Sequence, residues 1–440
     1  MTQPGELRSN RREFITTSTA AMAALAGTAG ATSGALDPRL VNAPLPKFKP
    51  HKPVGKDEAI RMALIGAGGM GNGHMDGILR ARRDGAENVN VVAVSEVAKK
   101  RRERTVKKLT EGQEGVEVTG YVDYMEMLEK EDLHAVLIAS PEHWHAQMAI
   151  DAMAAGCDVY LEKPMTLRLE EAIRLKRAVD SGDKILQVGT QYMMLPKYEE
   201  ARRLIKEGAI GQPTLSQTSY CRNSLNGEWL YGIDADVKPG EQLDWDLWCG
   251  PLGKCDFDTE VFHRWRRYRK WSTGIIGDLL VHMMTPMIYA LDLGYPTHVT
   301  ASGGHMVFPD MDNHDQVMLT VEFENGHTMI VAGSVCNDRG LEVLVRGHEG
   351  DLLLGGSNLV LQPQSPFTDD VDPQTIDCSY SDEQGKLRLN WLSCVRTREP
   401  NRSTVDLGLK HMIVVDLATR SMWDKRSYRF DPYTMRAEAV

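Results

Sequence analysis

The stretch that decides the fold is "AIRMALIGAGGMG", Ala59 to Gly71. A short apolar run, read as a strand, enters a cluster of glycines, and the helix-like "HMDGILRARRDG" follows. Within Gly66-Ala67-Gly68-Gly69-Met70-Gly71, the first glycine permits a tight turn. The second lets backbone approach a pyrophosphate, and the last lets helix and strand pack closely. The helix N-terminus then faces the phosphates. Gly66, Gly68, Gly69, Met70 and Gly71 are therefore candidate dinucleotide-binding positions. A bare G-x-G-x-x-G says little, but this one has the required strand–turn–helix context.

Outward from that loop, the pattern repeats. "VNVVAVSEV", "HAVLIAS", "DVYLEKP" and "KILQVGT" are apolar strands, separated by helix-like segments such as "AKKRRERTVKKLTE" and "LRLEEAIRLKRAVDSG". Continuous apolar strands alternating with helices specify a doubly wound parallel sheet covered on both faces. The texture changes near Gln191. Trp-rich, irregular stretches ("LDWDLWCGPLG", "FHRWRRYRKW") lead to the helical "GIIGDLLVHMMTPMIYALDLG" and then to alternating segments. "FENGH" is a hairpin signal. The expected class is α/β, with a dinucleotide-binding domain over 58–190. A C-terminal α+β domain with a large, mostly antiparallel open sheet is expected over 191–440.

The first 57 residues read differently. "SNRREFITTSTAAMAALAGTAGATSGA" has paired Arg11-Arg12, then Phe14-Ile15, then an Ala-rich run ending in small residues near Ala35. Residues 1–35 are expected to be a twin-arginine export signal, which makes the export machinery a partner of the precursor and the mature protein periplasmic or otherwise exported. The run is too short and too rich in Gly and Thr for a membrane span, so no stable membrane insertion is expected. Residues 36–57, rich in Pro and Lys, read as an extended arm.

Bulk properties exclude other classes. The net charge of −10, with no long basic block, argues against a general nucleic-acid surface. The 7 cysteines include no C-x-x-C and are odd in number, which argues against a disulfide framework and a zinc knuckle; a single Cys249–Cys255 bridge stays open.

Glu96 ends the second strand, 25 residues after Gly71. A carboxylate there binds ribose hydroxyls and favours NAD. Lys99, Lys100 and Arg101 follow, and their acceptance of a 2′-phosphate is the NADP alternative. Ser140-Pro141-Glu142-His143-Trp144-His145 ends the third strand, where ligands sit in open parallel sheets. Ser140, Pro141, His143 and His145 are cofactor-side candidates. A metal pair of His143 and His145 is the rival reading; the sequence places no third ligand, and no metal is expected. Glu162-Lys163-Pro164 ends the fourth strand at the same sheet edge, so Lys163 is a candidate donor to a substrate oxygen, with Glu162 and Gln191 on the cofactor side. In Gly277-Asp278-Leu279-Leu280-Val281-His282, Asp278 and His282 are i and i+4 and share a helical face. A carboxylate there would raise the imidazole's basicity and orient its ring.

Together, G-A-G-G-M-G, S-P-E-H-W-H-A, A-G-C-D-V-Y-L-E-K-P and G-D-L-L-V-H resemble the Gfo/Idh/MocA family, which includes glucose–fructose oxidoreductase and inositol dehydrogenase. The similarity runs from about Ile60 to Asp431. The resemblance implies an N-terminal Rossmann domain and a C-terminal domain whose open sheet makes a homodimer or homotetramer. It places the family's catalytic Lys on Lys163 and its Asp and His on Asp278 and His282. A second Asp common in the family is Thr285 here. It further suggests that the arm clasps a neighbouring subunit's cofactor.

The expected function is an exported NAD(P)-dependent oxidoreductase of a sugar, polyol or glycoside secondary alcohol, with a tightly held cofactor. His282 would take the hydroxyl proton, Lys163 would stabilise the alkoxide and Asp278 would tune His282. Arg222, Asn223, His263, Arg264 and Trp265 are candidate substrate contacts. Two alternatives are a redox-neutral NAD-dependent glycosidase or lyase using transient C3 oxidation, and a non-catalytic nucleotide or sugar sensor.

Overall fold

The computed structural model describes residues 36–440; the expected export signal, residues 1–35, lies outside them. Six strands, β1 (Ile60–Ile65), β2 (Val89–Ser95), β3 (Thr119–Tyr121), β4 (Ala135–Ile138), β5 (Asp158–Leu161) and β6 (Leu186–Val188), form one sheet in the order β3-β2-β1-β4-β5-β6. Every pairing in it is parallel. Helices α1 (Gly69–Arg83), α2 (Lys99–Gly112), α3 (Tyr124–Lys130), α4 (Glu142–Ala154) and α5 (Leu169–Asp180) make the crossovers. β4 and β5 are buried along their whole length because helices cover both faces, which is why they read as unbroken apolar runs. The strand order reverses between β1 and β4, so the glycine loop and the Ser140 loop open into the same crevice. β3 was not legible: in Thr119-Gly120-Tyr121 only the tyrosine is buried.

The second sheet is built from β7 (Pro213–Cys221), β8 (Pro296–Gly304), β9 (Gln316–Phe323), β10 (Thr328–Ser334), β11 (Leu344–Gly347), β12 (Gly350–Leu353), β13 (Asn358–Pro363), β14 (Gln374–Asp377), β15 (Tyr428–Asp431) and β16 (Arg436–Ala439), in the order β14-β13-β12-β11-β7-β10-β9-β8-β15-β16. β7 (Pro213–Cys221) pairs parallel with β10 (Thr328–Ser334), and the other pairings are antiparallel. β9 (Gln316–Phe323) alternates buried and exposed residues, as expected for a strand with one covered face. It turns into β10 at Asn325-Gly326, where Gly326 takes φ 80°. Helices α6 (Pro196–Lys206), α7 (Val281–Ala290), α8 (Glu383–Thr397) and α9 (Val405–Asp424) complete the domain.

Two features of the organisation lie beyond what the sequence pattern states. Packing crosses the boundary at 190. Leu387, Trp391, Leu392 and Val395 of α8 share a core with Ile60, Met62, Leu64 and Val91 of the first sheet. Gln187 Nε2 donates to Leu387 O at 2.7 Å, and Val188 N donates to Ser403 O at 2.9 Å. The chain returns to cover a sheet face that its own crossovers leave open. The arm runs along its own chain: Lys49 N donates to Ala154 O at 3.0 Å and Asp37 N to Glu170 Oε1 at 3.2 Å. Its prolines suit an extended path that donates few hydrogen bonds, and that path lies along α4 and α5.

Candidate active site

A cleft of about 660 Å³ opens at the β1/β4 switch point. Gly66, Gly68, Gly69, Met70, Glu96, Ser140 and Pro141 line one wall; Tyr231, Asp234, Trp248, His263, Trp265 and Arg266 of the second domain line the other. Helix α1 has Gly68 as its N-cap, which offers no side-chain cap and leaves first-turn N–H groups for an anion. Gly66 takes φ 90°, and a Cβ there would stand 2.7 Å from the Ala139 carbonyl. A Cβ on Gly71 would stand 2.0 Å from Gly66 O, so this glycine sets the helix–strand distance. The Glu96 carboxylate is fixed by Ala67 N–H (2.8 Å) and Ala98 N–H (2.9 Å), with its remaining lone pairs at the cleft. Ser140 Oγ is buried in the wall with no partner. Open helix N–H groups, a fixed carboxylate and an unpartnered hydroxyl fit a dinucleotide. Lys99 and Lys100 are paired with Glu241 (2.6 Å) and Asp234 (2.7 Å), and Arg101 lies over the Phe262 ring, so the first two offer a 2′-phosphate little unmatched charge.

Beyond the cleft, Lys163 and Asp278 meet. Lys163 Nζ donates to Asp278 Oδ1 and to Asp278 O, both at 2.8 Å. Arg266 Nε donates to the same Oδ1 at 2.9 Å, and Trp229 Nε1 donates to Oδ2 at 3.0 Å. Burial by itself would raise the Asp278 carboxyl, but the Lys163 and Arg266 cations outweigh it and hold it far below the usual carboxylate range. Trp229 reaches this position from a left-handed backbone, φ 55°, which is costly for a bulky residue. Gly277 is explained by the same junction. Residues Ile276–Leu280 form a π-turn, and a Cβ on Gly277 would meet Thr273 Oγ1 at 1.8 Å and Pro164 Cγ at 3.2 Å. The glycine lets the helix lie directly on the Lys163-Pro164 loop.

The expected Asp278–His282 dyad is corrected in one respect: the Asp278 charge raises the imidazole's basicity as expected, but the carboxylate does not hold the ring. No hydrogen bond joins the two, because two cations compete for the carboxylate and a neutral imidazole cannot match them. The His282 ring is buried with Nδ1 unpartnered, beside Tyr192 (ring centroids 5.4 Å apart) and Tyr220 (6.3 Å). Burial, and then the Lys163 charge, push its pKa down to about 3, so it is neutral at physiological pH. Thr285, in the place of a second Asp, donates to Val281 O and lies 3.0 Å from His411 Nδ1.

Several other candidates have different neighbours from those expected. Glu162 turns inward: Oε1 lies 2.7 Å from His74 Nε2, and Oε2 accepts the Lys163 N–H at 3.2 Å. His143 is in an aromatic core between Trp248 and Trp271, its Nε2 2.8 Å from Trp248 O. The His145 ring lies between Pro164 O (2.7 Å from Nδ1) and Ser140 O (2.9 Å from Nε2); burial favours the neutral ring, whose single N–H donates to one of these two carbonyls. Gln191 opens the 3-10 turn Gln191–Met194 after β6. Among the substrate candidates, His263 and Trp265 line the dinucleotide cleft, and His263 Nε2 accepts the Asp234 N–H at 3.1 Å. Arg264 pairs with Glu260, Arg222 pairs with Glu228, and Asn223 bridges to Cys336. The residues missed were Arg266, Trp229, Tyr192 and Tyr220. Arg266 lies one position past the named Trp265, but nothing in a run of Arg and aromatic residues says which member turns inward.

Comparison with known proteins matches this geometry. Residues 60–190 match the family described as oxidoreductase family, NAD-binding Rossmann fold, and residues 202–430 match its C-terminal alpha/beta domain. The chain belongs to the Gfo/Idh/MocA oxidoreductase family, and its first domain is an NAD-binding Rossmann domain. It is 33% identical over 162 residues to inositol 2-dehydrogenase 4 of Saccharopolyspora erythraea, covering 37% of this chain and 45% of that relative. It is 26% identical over 304 residues to scyllo-inositol 2-dehydrogenase (NAD(+)) of Bacillus subtilis, covering 68% and 75%. In fold it resembles a levoglucosan dehydrogenase solved with NADH and L-sorbose, with TM-score 0.64, 19% identity, and 84% and 98% of the two chains covered.

Proposed function

We propose that this protein is an exported NAD-dependent dehydrogenase of a sugar or polyol secondary alcohol that keeps its cofactor bound between turnovers. The observation that carries the reaction is a neutral, buried His282 with a free Nδ1, beside a Lys163 with donor capacity to spare. Lys163 has three N–H groups, and Asp278 takes two of them. The third can donate to a substrate oxygen as alkoxide character develops, and His282 Nδ1 can accept the hydroxyl proton. Bound NAD supplies the hydride acceptor. Tyr192 and Tyr220 offer flat apolar faces to a sugar ring. Relatives named for inositols support a polyol or sugar as substrate.

Cofactor retention is supported by a strap from the second domain. Residues 229–244 cross the adenosine end of the cleft. Lys99 N donates to Gln242 O at 2.9 Å, Ala98 bridges to Leu243, and the Lys99–Glu241 and Lys100–Asp234 pairs add charge contacts. Export is supported by the Arg11-Arg12 segment alone. A retained cofactor is also what redox-neutral glycoside cleavage needs, and that is the second reading. Retention of Lys163 and His282 weighs against a sensor. Exposed Thr300, Met318, Thr320 and Glu322 on the uncovered sheet face are the surface proposed for a homodimer or homotetramer, read by light scattering.

The test is to purify the mature protein without added nucleotide, denature it and identify released nucleotide by mass spectrometry. Near-stoichiometric NAD is expected. An empty protein would overturn retention, and failure to bind NAD in titration would overturn the reaction as well. Release of the aglycone from an aryl glycoside without net NADH would favour the second reading.

A further inference from the structure

Seven residues at the edge of the cleft, Cys249-Gly250-Pro251-Leu252-Gly253-Lys254-Cys255, fold back on themselves. Gly250 takes φ 47° and Gly253 φ 78°, left-handed conformations that reverse the chain. A Cβ at Gly250 would stand 2.1 Å from the Trp144 ring, so this turn lies flat on the indole. Gly253 N donates to Gly250 O at 3.0 Å and closes the turn. Trp245 Nε1 donates to Cys255 O at 2.7 Å and fixes the returning end. The result is that Cys249 Sγ and Cys255 Sγ stand 3.3 Å apart. Cys249 is buried and Cys255 is partly exposed. Among the described residues no group of three or more His, Cys, Asp and Glu side chains is gathered to hold a metal ion, so the paired sulfurs are not part of a metal centre.

We infer that Cys249 and Cys255 are a modification site: a preorganised dithiol that closes to an intramolecular disulfide and staples the loop that follows Trp248 at the edge of the cofactor cleft. The oxidant class is a low-molecular-weight disulfide. The Cys255 thiolate, which solvent reaches, attacks one sulfur of the oxidant and releases one thiol. Cys249 then attacks the Cys255 sulfur and releases the second. Two S–H bonds are lost and one S–S bond is formed in the protein, and the oxidant's S–S bond is reduced to two thiols. Trp248 immediately precedes Cys249 in the short helix Trp245–Cys249 that enters this loop, stacks on Trp245 with ring centroids 4.6 Å apart, and lines the cleft. Closing the loop therefore limits how far that wall can open.

The staple rests on the NAD-cleft reading, but the thiol chemistry does not, and the two are read separately. Native full-length protein is treated with oxidised glutathione and quenched by alkylation. Expected is a mass loss of two hydrogens and a peptide linked between Cys249 and Cys255. Cys249→Ser is expected instead to keep glutathione on Cys255. A lasting glutathione adduct on Cys255 in the wild type, or two thiols still free after treatment, overturns the dithiol; the wild-type result suffices if the variant folds poorly. NADH release is then timed for the oxidised and the dithiothreitol-reduced protein. Slower release in the oxidised form, lost in Cys255→Ser, supports the staple, and equal rates overturn it.

Discussion

Asp278 is expected to couple energetically to Lys163 and Arg266, not to His282. Asp278→Asn keeps the shape and leaves an oxygen for a neighbouring donor, but it removes the charge that two cations share. Lys163 Nζ and Arg266 Nε lie 2.8 and 2.9 Å from one oxygen, and the carboxylate is buried. Removing one partner of a buried, hydrogen-bonded ion pair costs about 3–5 kcal/mol, because the remaining charge stays buried without compensation. Here two cations are left facing each other, so the upper half of that range is expected. The assay is urea unfolding at pH 7, followed by tryptophan fluorescence, on two double-mutant cycles. Asp278→Asn with Lys163→Met should give a coupling of about 2 kcal/mol, and Asp278→Asn with His282→Gln less than about 0.5 kcal/mol. The Asp278 carboxyl is held below its unfolded value. Its stabilisation is therefore complete above about pH 4 and is lost only as the pH falls further, which places pH 7 safely on the plateau. A His282 coupling equal to or larger than that of Lys163 would refute the reasoning and restore the Asp–His dyad.

Other predictions concern single positions. His411 is fully buried, and burial alone pushes its pKa down to about 3, so the unfolded chain binds a proton below about pH 6.5 that the native chain refuses. Stability from this group therefore falls as pH drops, and the wild type should lose about 2 kcal/mol relative to His411→Gln between pH 7 and pH 5; a constant difference would sink the claim. Glu96→Gln sets an amide N–H₂ against one of two backbone N–H donors and removes a charge-assisted acceptor, so NAD affinity should fall about 10- to 100-fold; unchanged affinity by titration would count against its placement. Gly66→Ala forces a Cβ into the Ala139 carbonyl and a left-handed backbone, and the lower unfolding midpoint should correspond to about 1–3 kcal/mol. Lys163→Met should lower kcat/KM by about two orders of magnitude or more while NADH fluorescence titration stays near wild type.

The sequence alone determined the first domain and the location of its crevice. A buried parallel strand must be apolar throughout and a phosphate-binding turn must use glycine, so local chemistry exposes both. β3 escaped because three residues carry no period. Lys163, Glu96 and the glycines were legible because strand ends and turns are sequence-local features. What the carboxylates and imidazoles do was decided only by tertiary structure. Asp278 belongs to Lys163, Arg266 and Trp229, and those donors come from three segments that sequence spacing cannot relate. His143 and Glu162 became interior groups for the same reason, since the indole wall and the His74 ring that meet them arrive from other elements. Helix α8 completing the first domain's core is the largest instance: an apolar helical face is visible in the chain, but the surface it will cover is not. Short-range pattern sets which conformation a segment can take, whereas the partner of a buried charge or an apolar face is fixed by contacts distant in sequence.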